Sequence, residues 1–97
     1  MKNYYNYKHQ LVGRMMDGKY VRNVDPSKHF MRIYQGYGIS CDIFNQLKID
    51  GCKEIRINTG KELFKIEIDV FEKNAIEANY EDRQLFCPLK YFTKKHA

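Results

Sequence analysis

The chain has 97 residues, of which 43% are hydrophobic and 30% charged, and its formal net charge is +5. This composition is typical of one globular domain and unlike that of a disordered segment. The longest uninterrupted apolar run, Leu85-Phe86-Cys87, is far shorter than the roughly 20 residues of a membrane span or the roughly 7–15 of a signal-peptide core. We therefore expect a cytoplasmic protein that makes no membrane contact.

The first ten residues show no helical or strand period, so we expect a flexible, basic, tyrosine-rich N-terminus. Tyr4, Tyr5 and Tyr7 alternate there with Lys2 and Lys8. Aromatic rings can stack on bases while lysines follow the phosphates, a combination found in single-strand binding proteins. The alternative is that the segment frays, or that its tyrosines pack on the domain.

Leu11–Val24 carries the strongest local signal, that of a β-hairpin. Asp17-Gly18 suits a type I′ turn because both residue types tolerate positive φ. The turn fixes the register and predicts a core face formed by Leu11, Met15, Tyr20 and Val24. Arg22 falls on this face too, where we expect it to reach the rim or to pair with an acid.

The sequence of residues 25–52 predicts a short helical turn, a close approach between backbone segments, and one helix. Asp25-Pro26 favours a helical turn through about Phe30. Gly36 and Gly38 indicate a bend or a close approach of backbone. Ser40–Ile49 is the clearest helix, with Ser40 as its N-cap, Ile39 and Phe44 as a hydrophobic staple, and Gly51 as its stop.

The second half of the chain predicts another hairpin and short flanking elements. In Lys53–Val70, apolar and polar residues alternate on either side of a turn at 58–61, which is typical of a hairpin with one solvent-facing side. This solvent-facing side carries both acidic and basic residues, as a solvated sheet surface does. A capping-box spacing at Asp69 predicts a short helix ending near Asn74. We expect short strands at residues 76–80 and 85–87, the latter closing the sheet.

Together these elements predict an α+β fold, a small antiparallel sheet of hairpins with one main helix packed on one face. Residues 11–92 would form a single α+β domain, preceded by the flexible segment 1–10 and followed by a basic tail at 93–97. Open hairpin edges would also allow a homodimer.

Enzymatic and metal-binding chemistry has little support in the sequence. Cys41, Cys52 and Cys87 lack the CxxC spacing of zinc or dithiol sites, and we interpret them as buried thiols. The enzymatic alternatives are His29 as a general acid–base, with Asp25 or Asp42 nearby, and Cys41 as a nucleophile without an identified partner base. We expect no catalysis, no cofactor and no metal.

Both ends of the chain are basic, whereas its middle is acidic. The net charge is +5 over residues 1–35, −4 over residues 36–82 and +4 over residues 83–97. Because domain termini often lie close together, we expect the two ends to form one basic face. Such a face could hold nucleic-acid phosphates or an acidic protein surface.

Three segments carry a resemblance to known proteins. Lys28–Arg32, Tyr37–Ser40 and Gln84–Phe92 resemble small uncharacterised prokaryotic and phage-type proteins, over about Val24–Phe92. The resemblance implies a small α+β domain of microbial or mobile-element origin and no particular chemistry. Small proteins of mobile elements often block a host complex, as anti-CRISPR and other anti-defence proteins do.

The favoured hypothesis is a non-catalytic binding protein whose basic face engages nucleic acid or a nucleoprotein complex. Its candidate binding residues are Lys2, Tyr4, Tyr5, Tyr7, Lys8, Arg14, Lys19, Arg22 and Arg83. The alternative is a protein-binding inhibitor or adaptor that blocks a macromolecular partner through a sheet edge or the tyrosine-rich surface.

Overall fold

The computed structural model describes residues 1–25, 36–79 and 83–96 and shows a mixed α+β fold. The strands in these ranges are β1 Lys2–Tyr5, β2 Leu11–Met16, β3 Lys19–Asn23, β4 Gly36–Ser40, β5 Glu54–Asn58, β6 Glu62–Glu67, β7 Ile76–Asn79, β8 Arg83–Pro88 and β9 Thr93–His96. The helices are α1 Cys41–Ile49 and α2 Ile68–Asn74, with a 3₁₀ turn at Leu89–Tyr91. No helix in the described ranges is long and apolar enough to cross a bilayer.

The strands form two sheets rather than the single antiparallel sheet that the sequence predicted. Six strands pair in the order β1-β2-β3-β5-β6-β9, and three pair in the order β4-β8-β7. The β3–β5 pair is parallel, which corrects the all-antiparallel prediction. A parallel connection needs a long crossover, and here the crossover contains β4 and α1.

The first hairpin confirms the predicted register near its turn. Met15 lies opposite Tyr20, and Asp17 and Gly18 have φ values of 54° and 76°. Leu11, however, is 46% exposed, so its predicted place on the core face is wrong. The β1–β2 register shifts between Tyr4 and Tyr5, and this irregularity breaks the alternation on which the prediction depended.

Both chain ends form strands, although the sequence showed no strand at residues 1–10 and suggested a tail at 93–97. Lys2–Tyr5 pairs with β2 and Thr93–His96 pairs with β6. The last strand is therefore β9 and not the predicted strand at residues 85–87. These short segments gain their structure from a neighbouring strand rather than from their own sequence pattern.

The predicted helix is confirmed, and a second helix packs beside it. Ser40 caps α1, its Oγ accepting a hydrogen bond from the Ile43 N–H at 3.2 Å. The rings of Phe44 and Phe71 stack with centroids 5.4 Å apart, so α1 and α2 pack together. The α2 N-cap is Glu67, which corrects the cap predicted at Asp69.

One hydrophobic core joins both sheets and both helices. Its fully buried large side chains are Tyr20, Tyr37, Phe44, Phe71, Leu47, Ile55, Ile57 and Cys87. The helical turn predicted after Asp25 falls on residues 26–30, outside the described ranges.

Two glycines permit close approaches inside this core. A Cβ at Gly36 would collide with the Phe86 ring, which confirms the close approach predicted there. A Cβ at Gly13 would lie 2.5 Å from the Tyr20 hydroxyl oxygen, because the tyrosine ring lies across the glycine.

We expect Gly13→Ala to destabilise the protein by about 1–3 kcal/mol, because the added methyl overpacks the Tyr20 ring. Urea denaturation measures this change. In a Tyr20→Leu background the same substitution should cost clearly less, since leucine lacks the ring atoms that collide. An equal cost in both backgrounds would contradict the proposed contact.

Asp50, just beyond α1, ties the N-terminal strand to the helix. Its Oδ2 accepts hydrogen bonds from Lys2 Nζ at 2.6 Å and from the Tyr4 hydroxyl at 2.8 Å. Its Oδ1 accepts another from Gln46 at 3.0 Å. The bonds from Lys2 and Tyr4 hold the pKa of Asp50 below its ordinary value of 3.8.

This lowered pKa predicts a pH-dependent contribution to stability. Because the folded-state pKa lies below the unfolded one, the contribution is full above about pH 4 and is lost as the pH falls through the folded-state value. Asp50→Asn should thus be less stable than the wild type at pH 7 and approach it toward pH 2. Urea midpoints measured across this range would detect the convergence. Asp17→Asn, which removes an exposed carboxylate from the β2–β3 turn, is the control, and a pH-independent gap for Asp50→Asn would refute the prediction.

Candidate functional site

The structure does not gather the predicted binding residues into one site. Three of them, Lys2, Tyr4 and Arg83, are engaged in contacts within the fold. Tyr7, Lys8 and Arg22 surround a pocket beside the start of α1. Tyr5, Arg14 and Lys19 lie on the open side of the six-stranded sheet.

The engaged residues have structural partners. Tyr4 is 4% exposed and packs edge-on against Tyr20, so its ring offers no stacking face and its predicted role is corrected. Lys2 forms its ion pair with Asp50 at 2.6 Å. Arg83 donates from Nε to Glu77 Oε1 at 2.7 Å, beside the small sheet.

The two ends of the chain do not lie side by side. β1 and β9 are the opposite edges of the six-stranded sheet, with four strands between them. Positive charge instead collects in the middle of the sheet, on the side away from the helices. We call this side the outer face.

The outer face consists of the side chains that alternate with the buried ones along the six strands. Its central row crosses the sheet through Asn3, Arg14, Val21, Arg56, Lys65 and Thr93. The flanking rows contain Lys19, Glu54 and Glu67 on one side, and Leu63 and Lys95 on the other. None of these side chains is buried, although several are only half-exposed.

Cations repel one another at the β6–β9 end of the outer face. The charge of Lys95, with burial and the charge of Arg56 as further causes, lowers the pKa of Lys65. Glu54 neutralises part of this charge, since its carboxylate lies 2.8 Å from Arg56 Nε. A surface that holds several cations together favours an anionic ligand, because the ligand relieves their repulsion.

Exposed apolar and aromatic side chains lie among these cations. Tyr5 and Met16 are 53% and 54% exposed, near the β1–β2 end of the sheet. A shallow cleft of about 380 Å³ opens there, lined by Leu11, Arg14 and Val21 among others. Tyr91 borders a second depression with Lys65 and Thr93. The face thus offers both charged and apolar contacts.

Sequence reasoning missed Arg56, Lys65 and Lys95. The first two could have been found, because the turn after Asn58 sets Arg56 opposite Lys65 on the wet face of the second hairpin. The mixed charges of that face are typical of a solvated sheet surface, so its sign pattern does not indicate a binding site. Lys95 gave no signal, because only its pairing with β6 brings it to this face.

The described residues show no catalytic arrangement that would support either enzymatic alternative. Cys41 is half-buried in the first turn of α1, and His29 lies outside the described ranges. Cys52 and Cys87 are buried, and burial raises the pKa of Cys87 to about 11. Within the described ranges, no three His, Cys, Asp or Glu side chains are grouped to hold a metal ion.

Comparison of the chain with protein-family models, with curated proteins and with solved structures finds no match. Functional inference therefore depends on the geometry of this chain.

Proposed function

We propose that this protein is a non-catalytic nucleic-acid-binding protein, and that its outer face lies against the sugar–phosphate backbone. The observation that carries the proposal is the row of Arg14, Arg56 and Lys65 across the outer face of the sheet, with Lys19 and Lys95 in the adjacent rows. Basic side chains that neutralise phosphates provide most of the affinity in sequence-independent binding.

The geometry favours a single strand over a duplex. Arg14, Arg56 and Lys65 stand on strands that together span about 14 Å, at roughly 4.8 Å per strand. Exposed rings at Tyr5 and Tyr91 flank these cations and could stack on unpaired bases. A duplex hides the faces of its bases and could use only the charges. A β-sheet that combines rings and cations is a known platform for single-stranded RNA.

The strongest test compares two neighbouring lysines on the same strand. Lys95 lies in a row of the outer face, whereas Lys94 points to the other side, 3.1 Å from Glu62. Fluorescence polarisation with labelled single-stranded oligonucleotides, titrated at several salt concentrations, would measure both variants. We expect Lys95→Ala to weaken binding and to reduce the slope of log affinity against log salt by about 0.7.

Lys94→Ala, the matched control, should leave affinity and slope near wild-type values. Equal effects of the two substitutions would show that the outer face is not the binding surface. Failure of the wild type to bind any oligonucleotide at low salt would overturn the proposal as a whole. A labelled duplex in the same assay should bind more weakly than the single strand, because it cannot stack on Tyr5 and Tyr91.

A protein-binding inhibitor or adaptor is the second candidate, supported by the exposed apolar side chains near β1 and β2. Leu11 and Met16 line one cleft there together with Val12 and Val21, and exposed apolar surface often marks a protein interface. Met16→Lys should then abolish capture of a partner protein from nuclease-treated microbial lysate, while Lys95→Ala should preserve it. Capture that depends on Lys95 and on intact nucleic acid would instead support the first proposal.

A further inference from the structure

A second concave site lies on the opposite side of the six-stranded sheet, where the β1–β2 loop approaches β3, β4 and the start of α1. We call it the inner pocket. Its volume is about 420 Å³, and its lining includes Tyr7, Lys8, Tyr20, Arg22 and Ser40. This size lies within the range of small-molecule sites. None of the outer-face cations lines it.

Tyr20 gives the inner pocket an unused hydrogen-bond donor. The side chain is fully buried, and its hydroxyl has no hydrogen-bond partner among the described residues. Burial raises the pKa of Tyr20, so the hydroxyl keeps its proton at neutral pH. The ring is fixed between Gly13 and the edge-on ring of Tyr4, whose centroid is 5.6 Å away. Buried polar groups rarely lack a partner, and such an exception calls for an explanation.

Arg22, two residues further along β3 than Tyr20, contributes a cation to the pocket, and Tyr37 fixes its position. Its Nη1 donates to the Tyr37 hydroxyl at 2.6 Å, and its guanidinium carbon lies 5.4 Å from the centre of that ring. No ion pair joins Arg22 to a carboxylate in the described part of the chain, although the side chain is half-buried. The bond to Tyr37 uses one N–H and leaves further guanidinium donors for a ligand.

The charges around the inner pocket favour an anion. Lys8 and Arg22 are its cationic lining residues, and no Asp or Glu lies among the described residues that line it. The pocket also adjoins Ser40, the N-cap of α1, where the helix dipole favours negative charge. Tyr7 provides an exposed ring beside this charged region, and Ile39 and Ile43 provide apolar walls.

We propose that the inner pocket binds a phosphomonoester, with Tyr20 and Arg22 donating to the phosphate oxygens and Tyr7 packing against the attached base. The unpartnered Tyr20 hydroxyl and the cations Lys8 and Arg22, with no Asp or Glu among the described lining residues, point to a ligand that only accepts hydrogen bonds. The volume exceeds that of an inorganic ion and accommodates a mononucleotide. The same chemistry occurs at the phosphorylated end of a nucleic-acid strand. This inference goes beyond the outer-face proposal and does not depend on it.

Isothermal titration calorimetry of the full chain tests the inference, with adenosine 5′-monophosphate as the probe and adenosine as its uncharged counterpart. The wild type should bind the monophosphate, and adenosine at least tenfold more weakly. Tyr20→Phe removes only the unpartnered hydroxyl, so it should weaken monophosphate binding about tenfold without lowering the melting temperature. Lys8→Ala, at an exposed position, is a second variant and should also weaken binding.

Matched controls separate this site from the rest of the surface. Lys90→Ala in the 3₁₀ turn and Lys94→Ala on the side of β9 away from the outer face each remove an exposed cation that does not line the pocket, so both should leave monophosphate binding unchanged. Absence of binding at 10 mM monophosphate, or wild-type affinity in both Tyr20→Phe and Lys8→Ala, would overturn the inference.

A competition experiment identifies the source of the phosphate. If a 5′-phosphorylated oligonucleotide displaces the monophosphate and its 5′-hydroxyl counterpart does not, the pocket holds the end of a strand. If neither displaces it while Tyr20→Phe still weakens binding, the pocket holds a free mononucleotide. Displacement by both oligonucleotides alike would contradict recognition of a phosphomonoester.

Discussion

The parallel pairing of β3 with β5 is the constraint on which the rest of the structure depends. The Gly18 carbonyl accepts hydrogen bonds from the Lys53 and Glu54 N–H groups at 2.7 and 3.3 Å, at one end of the pair. At the other end, the Val24 N–H donates to the Asn58 carbonyl at 2.9 Å. This pairing joins two antiparallel units into one six-stranded sheet. Because parallel neighbours need a crossover, β4 and α1 pass over one side of that sheet, and the outer face is the other side.

Successive side chains of β3 point to opposite sides of the sheet, so this strand contributes to both proposed surfaces. Lys19 and Val21 belong to the outer face, whereas Tyr20 and Arg22 point toward the core and the inner pocket. The two proposed surfaces therefore share the β3 backbone but no β3 side chain. Charge alone did not separate these roles in the sequence, because Lys19 and Arg22 are equivalent in a count of basic residues. The pleat of the strand makes the distinction.

Local signals in the sequence predicted the elements that depend on local chemistry. Asp17-Gly18 fixed the hairpin register at Met15 and Tyr20, and Ser40 with Gly51 bounded α1. The errors concern contacts between distant segments. β1 and β9 each need a partner strand, and the parallel pair joins residues more than 30 positions apart.

The same contrast between local signals and contacts of distant segments explains which residues of the candidate site the sequence indicated. Tyr5, Arg14 and Lys19 were predicted as binding residues from their types, and the structure places them on the outer face. Tyr4 was misassigned because burial of its ring requires Tyr20 and Asp50, which lie far along the chain. Lys95 was missed because its side of the sheet is set by a pairing that no local pattern encodes.

The two edges of the six-stranded sheet are formed by the first and last strands of the chain, and this has a consequence for its dynamics. Either edge strand can detach while the inner strands stay paired, at the cost of the Tyr4 contacts in the case of β1, whereas β3 and β5 cannot separate without opening the core around Ile55 and Ile57. Amide exchange should therefore slow progressively from both margins toward the centre of the sheet. The cations Arg14 and Lys65 stand one strand in from each margin, so fraying at the margins would leave their strands paired with the centre of the sheet.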